Sequence, residues 1–530
     1  MSRRRLLAGA AAAAGLALAP RARAAEPTGR LIVDTRTTAV TRMEVSELVY
    51  DFRQETGYVV VDTDESAMPR GASYARDLEI SIDVPQQQAA DVTPAQAGGI
   101  RGLQWDKTEQ DVAAVHADAT GEGARIGVID DGVLGANPDR DASHPDLPNV
   151  NGELSRNFTG DGNGPGPLND DHGTHCAGTA AARGEGVVGV APDAEIVDLR
   201  VFSGQGASFA DILAAVVYGT QVGCDVLNLS LGTPPLVPVD EPPEEIGPGD
   251  DPDGRGPIVP VAADQLEALL EAVGVFGSYA VDNGTLPVAA AGNSATNLDE
   301  EPPGADAEPV VLPASAEGFL SVGAAGPLGY GWPVEGDSEE IAGIRIESPI
   351  EAELPPTEPA FYTNYGESAV DVTAAGGNAD TDAVGESNYF LDLVFNTGIA
   401  SLDTGQPPDA VLEEYEPGYA FKAGTSFAAP NVAGLAALLF GLDPEADAED
   451  VRDTVEDTAE ELSVGRDGVT TAPGASPNAA FDGGFDGDEP STPADNGPFD
   501  SDTYRGEGHV NVAAAVAAFL ERVEDSGDED

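Results

Sequence analysis

Ile126-Gly127-Val128-Ile129-Asp130-Asp131-Gly132 is an apolar run that ends on two carboxylates and a glycine. Its apolar residues do not alternate with polar ones, which is the pattern of a strand buried on both faces of a parallel sheet. Runs of the same kind recur at 195–201, 225–231, 286–291, 319–324 and 369–374. Helical stretches lie between several of them, among them 208–222 and 266–275. Strand alternating with helix predicts an α/β layered domain. Open sheets of that kind bind ligands beyond the carboxyl ends of their strands, where Asp130 falls.

Two later stretches fit the same frame. Asp171-His172-Gly173-Thr174-His175-Cys176-Ala177-Gly178-Thr179 opens a helix whose small residues permit close packing. His172 stands at its N-terminus facing a cleft, and His175 reads as a buried, hydrogen-bonded structural residue. Two histidines at this spacing invite a metal, but a His-Glu-x-x-His pattern and a nearby third histidine are both missing. Gly424-Thr425-Ser426-Phe427-Ala428-Ala429-Pro430 opens an apolar helix. Ser426 is either its N-cap or a nucleophile in a field that stabilises negative charge. Pro430 is tolerated because first-turn N–H groups have no helical partner to lose.

In the order Asp, His, Ser, the three stretches resemble the subtilisin-like serine proteases, or subtilases. The resemblance runs from about Gln104 to Ala517. It implies a three-layer α/β fold with a mostly parallel central sheet, and a catalytic triad of Asp130, His172 and Ser426. It also implies an oxyanion donor at Asn293, within Ala289-Ala290-Ala291-Gly292-Asn293. A peptide substrate would lie between two strand edges, Gly204-Gln205-Gly206 and Ser230-Leu231-Gly232, read by β-augmentation. The reaction implied is peptide-bond hydrolysis through an acyl-enzyme, with no cofactor required. Asp131 departs from the Ser or Thr usual in the family and adds charge beside Asp130. The loop at 183–188 is shorter than the family's calcium loop. Structural calcium is therefore left as an option through Asp146 in His144-Pro145-Asp146-Leu147, with no other metal ligand assigned. Three rival readings stand beside this one: an inactive protease serving as a scaffold, a metallohydrolase on His172 and His175, and a processing protease with narrow cleavage rules.

Composition limits the partners. The 530 residues hold 94 acidic and 25 basic side chains, a net charge of −69, and Lys107 and Lys422 are the only lysines. The acid is dispersed from Asp34 to Asp530, as on a solvated surface rather than in one binding tract. Nucleic acid and anionic membranes would be repelled. Protein or peptide substrates remain, acted on by a monomer. Self-repulsion at this charge destabilises a compact chain unless salt screens it. The chain thus resembles secreted subtilases of extreme halophiles, the halolysin-like members.

The ends set the domain expectations. Arg3, Arg4 and Arg5 precede an apolar run and a small-residue cleavage site at Ala22-Arg23-Ala24. Ser2-Arg3-Arg4-Arg5-Leu6-Leu7 matches a twin-arginine export pattern, which predicts an extracellular protein. Residues 1–24 are read as the signal peptide and 25–100 as a small α+β propeptide. Residues 101–523 are read as the peptidase domain with acidic loop insertions, and 524–530 as an acidic tail. Within the propeptide, 30–33 and 57–61 read as strands, 45–52 as a helix and 86–99 as a linker. Leu103-Gln104-Trp105-Asp106 resembles a mature N-terminus, so processing is expected just before it. Cys176 and Cys224 lie in apolar segments and are expected as free thiols.

Overall fold

A computed structural model of the chain describes residues 26–38, 47–82, 84–89, 100–140, 142–184, 186–204, 206–240, 258–302, 307–328, 338–341, 344–347, 355–379, 389–400, 402, 411–412, 415–461 and 504–527. The signal segment, most of the 86–99 linker and much of the acidic insertions lie outside the described residues.

Four strands form an antiparallel N-terminal body: β1 (Glu26–Asp34), β2 (Glu47–Phe52), β3 (Tyr58–Asp62) and β4 (Tyr74–Ser81). A fifth, β5 (Gln86–Ala89), leaves this body and pairs elsewhere. Residues 47–52 form a strand where a helical pattern was expected. The pairing carries a register shift between Leu48 and Tyr50, and beyond it Tyr50 and Phe52, two residues apart, share a face of the strand. Pairing with the buried β3 overrides the weak local pattern.

After α1 (Trp105–Glu109) and α2 (Val112–Val115) comes the main sheet. Its strands are β6 (Arg125–Asp130), β7 (Arg156–Asn157), β8 (Glu195–Arg200), β10 (Val226–Leu229), β13 (Leu286–Ala290), β14 (Leu320–Ala325) and β17 (Val372–Ala375). The spatial order is β17-β14-β13-β10-β6-β8-β7, with every neighbouring pair parallel. The other strands are β9 (Gly206–Ser208), the ribbons β11 (Leu236–Val239) with β12 (Val259–Ala262) and β15 (Ser338–Ile341) with β16 (Ile344–Glu347), and the hairpin β18 (Val394–Ile399) with β19 (Pro417–Ala423).

Successive residues of the main strands point to opposite faces, and each face builds its own core. Val226, Val288, Val322 and Ala324 join the core that contains α3 (His172–Ala181) and α6 (Thr425–Leu442). Leu227, Ala289 and Leu229 join the core that contains α4 (Phe209–Gln221) and α5 (Ala263–Asp282). Helix α6 is buried from Thr425 to Phe440, so it carries no polar stripe. Helices α7 (Ala448–Asp457) and α8 (Val512–Gly527) close the first core. The N-terminal body extends the second: Phe52 and Tyr58 meet Phe276 of α5 at ring-centroid distances of 5.2 and 6.0 Å.

Candidate active site

Strand β6 delivers Asp130 at its carboxyl end, and α3 begins at His172 beside it. His172 Nδ1 lies 2.8 and 3.0 Å from the two Asp130 oxygens. Since a carboxylate only accepts, Nδ1 carries the proton and Nε2 offers a lone pair. That Nε2 is buried and has no hydrogen-bond partner among the described residues. Asp130 also accepts the Asp131 N–H at 2.7 Å, which fixes the carboxylate plane. Asp131 Oδ1 accepts the Gly173 N–H at 2.7 Å, so this carboxyl caps the helix that carries His172. A side chain on Gly173 would strike Asp131 and Asp130, so only glycine allows this approach.

Ser426 opens α6 close to this pair. Phe427, the next residue, packs its ring 5.2 Å from the His172 ring. Cys176 bridges the two elements: its Sγ lies 3.9 Å from His172 Nδ1 and donates to the Ser426 carbonyl at 3.3 Å. Ser230 Oγ donates to the same carbonyl at 2.7 Å. The Ser426 hydroxyl donates to the Ser230 carbonyl at 3.1 Å and is not hydrogen-bonded to Nε2. Asn293 follows β13 on the other side of the helix start. Its Oδ1 accepts both the N–H and the hydroxyl of Thr425 at 2.9 Å, which fixes which edge of the amide bears its donors.

The electrostatics follow from burial. Asp130 and His172 are fully enclosed. Burial lowers the His172 imidazole to about 4, Lys422 pushes the same way, and Asp131, Asp170 and Asp171 oppose it. Burial raises the Asp130 carboxyl, against the hydrogen bonds from Asp131. It also raises Asp131 well above the usual carboxylate range, reinforced by Asp170 and Asp130.

Of the two expected substrate edges, the one at Ser230 reaches this centre directly. Ser230, Leu231 and Gly232 continue from β10 and reach Ser426 through Ser230. Gly204 turns with φ +65° and Gly206 starts β9. The edge of β9 is already paired: Ser81, Ile80 and Glu79 of β4 oppose Gly206, Ala207 and Ser208. Past the site, Gln86–Ala89 pairs with β19, which leads into Ser426. Between these pairings Pro85 Cδ lies 3.4 Å from where a β-carbon on Gly424 would stand. The stretch expected as a linker thus begins as a strand laid along the entrance to α6.

His175 Nε2 donates to the Ala420 carbonyl at 3.2 Å and Nδ1 is left to accept from the Thr179 hydroxyl at 3.5 Å, so both ring nitrogens are engaged away from His172. Asp130, His172 and Cys176 bring ligand atoms within 4.8 Å of one another. Burial raises the Cys176 thiol well above its ordinary value, so a thiolate ligand is disfavoured there. Asp146 is likewise spent. Its oxygens accept the Gly186 and Val187 N–H groups at 3.2 Å and the Tyr419 hydroxyl at 2.7 Å. Those donors hold the short loop where the family's calcium would, and the residues present do not fit that ion. Cys176 and Cys224 are both buried and unpaired.

Ser230, Thr425, Asp171 and Lys422 join the site without having been singled out for these contacts. Ser230 was already expected on a substrate edge, and Lys422 carried a signal as one of two lysines in the chain.

Comparison with known proteins agrees with this geometry. A model described as the subtilase family matches residues 121–485. A thermophilic serine proteinase of Bacillus sp. (strain AK1) is 29% identical over 347 residues, covering 64% of this chain and 57% of that protein. An intracellular serine protease of Paenibacillus polymyxa is 39% identical over 132 residues, covering 24% of this chain and 38% of its own. The matches therefore span between about two fifths and three fifths of these relatives' lengths. Among solved structures, an epidermin leader peptide processing serine protease of Staphylococcus aureus superposes with TM-score 0.55 at 18% identity, covering 92% of this chain and 97% of that one. At that identity the likeness bears on the fold.

Proposed function

We propose, from the premise that this chain belongs to the subtilase family, that it is a serine endopeptidase with Ser426 as nucleophile, His172 as general base and Asp130 as the group that orients His172. The observation that carries the reading is the buried His172–Asp130 pair, which leaves Nε2 unpartnered beside the helix start bearing Ser426. In a productive encounter Ser426 Oγ rotates from the Ser230 carbonyl toward Nε2. His172 takes its proton as Oγ attacks the peptide carbonyl, and Asp130 stabilises the resulting imidazolium. Asn293 and the Ser426 N–H stabilise the oxyanion, aided by the positive end of α6. His172 then protonates the leaving amine, and water releases the acyl group. Hydrolysis of an unfolded protein in molar salt, compared with Ser426→Ala, tests this.

The N-terminal body is proposed as an intramolecular cover, the propeptide of the 25–100 segment. Pairing of β4 with the β9 edge and of β5 with β19 supports this, because the chain between them passes the start of α6. On this reading the first cut is expected between Ser81 and Gln86, upstream of the boundary near Leu103 that the sequence pattern favours. N-terminal sequencing of the processed protein separates the two positions.

Export by the twin-arginine route and adaptation to salt complete the proposal. The charge of −69 supports the second, as does the burial of both lysines, which leaves an outer surface without lysine. Circular dichroism over a salt series tests it; a fold and an activity both unchanged in dilute buffer refute it. Arg3→Lys with Arg4→Lys tests the export route.

A further inference from the structure

Lys422 is buried to 1% exposure on β19, four residues before Ser426. Its Nζ lies 2.5 Å from Asp171 Oδ1. Asp171 is the residue that precedes His172 at the start of α3, and its other oxygen accepts the Ile399 N–H at 3.0 Å. One buried ion pair thus ties β19 and β18 to the helix that carries the proposed base. Burying such a pair usually gives little stability over an apolar replacement, so its presence calls for another reason. A chain with almost no lysine keeps one here.

The charge around His172 supplies that reason. Asp130 and Asp131 approach from the end of β6, and Asp170 and Asp171 from the segment before α3. His175 and Cys176 lie on α3 itself, Ser426 on α6 and Lys422 on β19. Four carboxylates favour an imidazolium. A protonated imidazole cannot accept the Ser426 proton. Lys422 is the cation among these groups. Burial works against its charge, but Asp171, Asp170 and Asp131 more than offset this and hold its pKa above the ordinary lysine value.

We propose that Lys422, paired with Asp171, is a positioning residue for His172: it fixes the start of α3 and adds a positive charge that, alongside burial, offsets the carboxylates around the imidazole. The proposal rests on the reading of His172 as the base, and its test works without turnover. The five histidines of the full chain can be followed by NMR titration in a Ser426→Ala background, which also prevents self-digestion. His172 should titrate below the ordinary imidazole value. Adding Lys422→Met should raise it by about one pH unit, the lower end of the effect of a close charge. Lys422→Arg should restore the parent value. Asp171→Asn, which keeps the shape and removes a negative charge, should move it the other way and remains informative if Lys422→Met does not fold. Shifts of the same sign in both variants, or none in either, would overturn the proposal. In the active protein the acid limb of kcat/KM should follow the same signs. Loss of all Ser426-dependent hydrolysis in the parent would refute the protease reading, and the NMR result would still decide the role of Lys422.

Discussion

On one face of the main sheet, α3 and α6 pack Cys176, Ala177, Ala433, Ala436 and Ala437 into a core that holds the His172–Asp130 pair and the start of the Ser426 helix. On the other face, α4 and α5 are covered by the N-terminal body, whose contacts mix rings with buried polar pairs. Arg30 meets Asp211 at 3.1 Å, Tyr50 donates to Asp211 at 2.9 Å, and Asp77 accepts the Ala210 N–H at 2.9 Å. The first face is sealed by small apolar residues of the sheet domain itself. The second is closed by the N-terminal body through apolar residues such as Ile32, Val60 and Leu78 together with these polar pairs. If the N-terminal body is the propeptide cover proposed above, this interface must release, and its polar pairs are where it differs from the first face.

The largest effect should come from the first face. Ser426→Ala should lower kcat by about 10^6, the loss found for the triad serine of subtilisin, with the fold unchanged by circular dichroism. Near-parent turnover would remove the chemistry from this face altogether. Phe276→Ala strikes the second face, where one ring holds both Phe52 and Tyr58. It should cost about 3–5 kcal/mol in chemical denaturation. The loss should fall on docking of the N-terminal body, seen as increased protease susceptibility of residues 26–81. A loss spread evenly over both faces would show that the cover is not a separable unit. Asn293→Ala returns to the first face, and should lower kcat by about 10^2–10^3 with little change in KM.

The two faces also differed in legibility. Strands 125–130, 195–200, 226–229, 286–290, 320–325 and 372–375 were visible as runs rich in apolar residues, as burial on both sheet faces favours, although Asp198, Arg200 and Asn228 are buried within them. Asp130, His172 and Ser426 stood at the ends of such elements, and the structure brings all three together. In the N-terminal body the signal faded. Residues 47–52 read as helical because a register shift breaks the period of two, and 74–81 passed unnoticed with Arg76, Asp77 and Glu79 inside it. Asp77 is polar in sequence and buried in place, since its partners at Thr28 and Ala210 come from distant segments. Lys422 and Asp171 are 251 residues apart, so no local pattern could join them. Long-range polar pairing is what a single sequence conceals.

The smallest effect tests whether the cover responds to pH. Burial raises the Asp77 carboxyl to about 6, and the hydrogen bonds from Ala210 and Thr28 only partly oppose it. The folded carboxyl then holds its proton above the ordinary 3.8 of the released state, so the docked form binds more protons between these values. Where the folded state binds more protons, stability falls as pH rises. Docking through this group should therefore be strongest below about pH 4 and should weaken by about 1–3 kcal/mol by pH 7. Asp77→Asn keeps an acceptor for the Ala210 N–H and removes the titration. In Ser426→Ala protein, protection of residues 26–81 against an added protease, followed from pH 4 to 7, should decline in the parent and stay level in Asp77→Asn. Arg30 and Asp211 also face this junction. A slope that survives Asp77→Asn would transfer the pH response to that pair and leave Asp77 as a plain cap of α4.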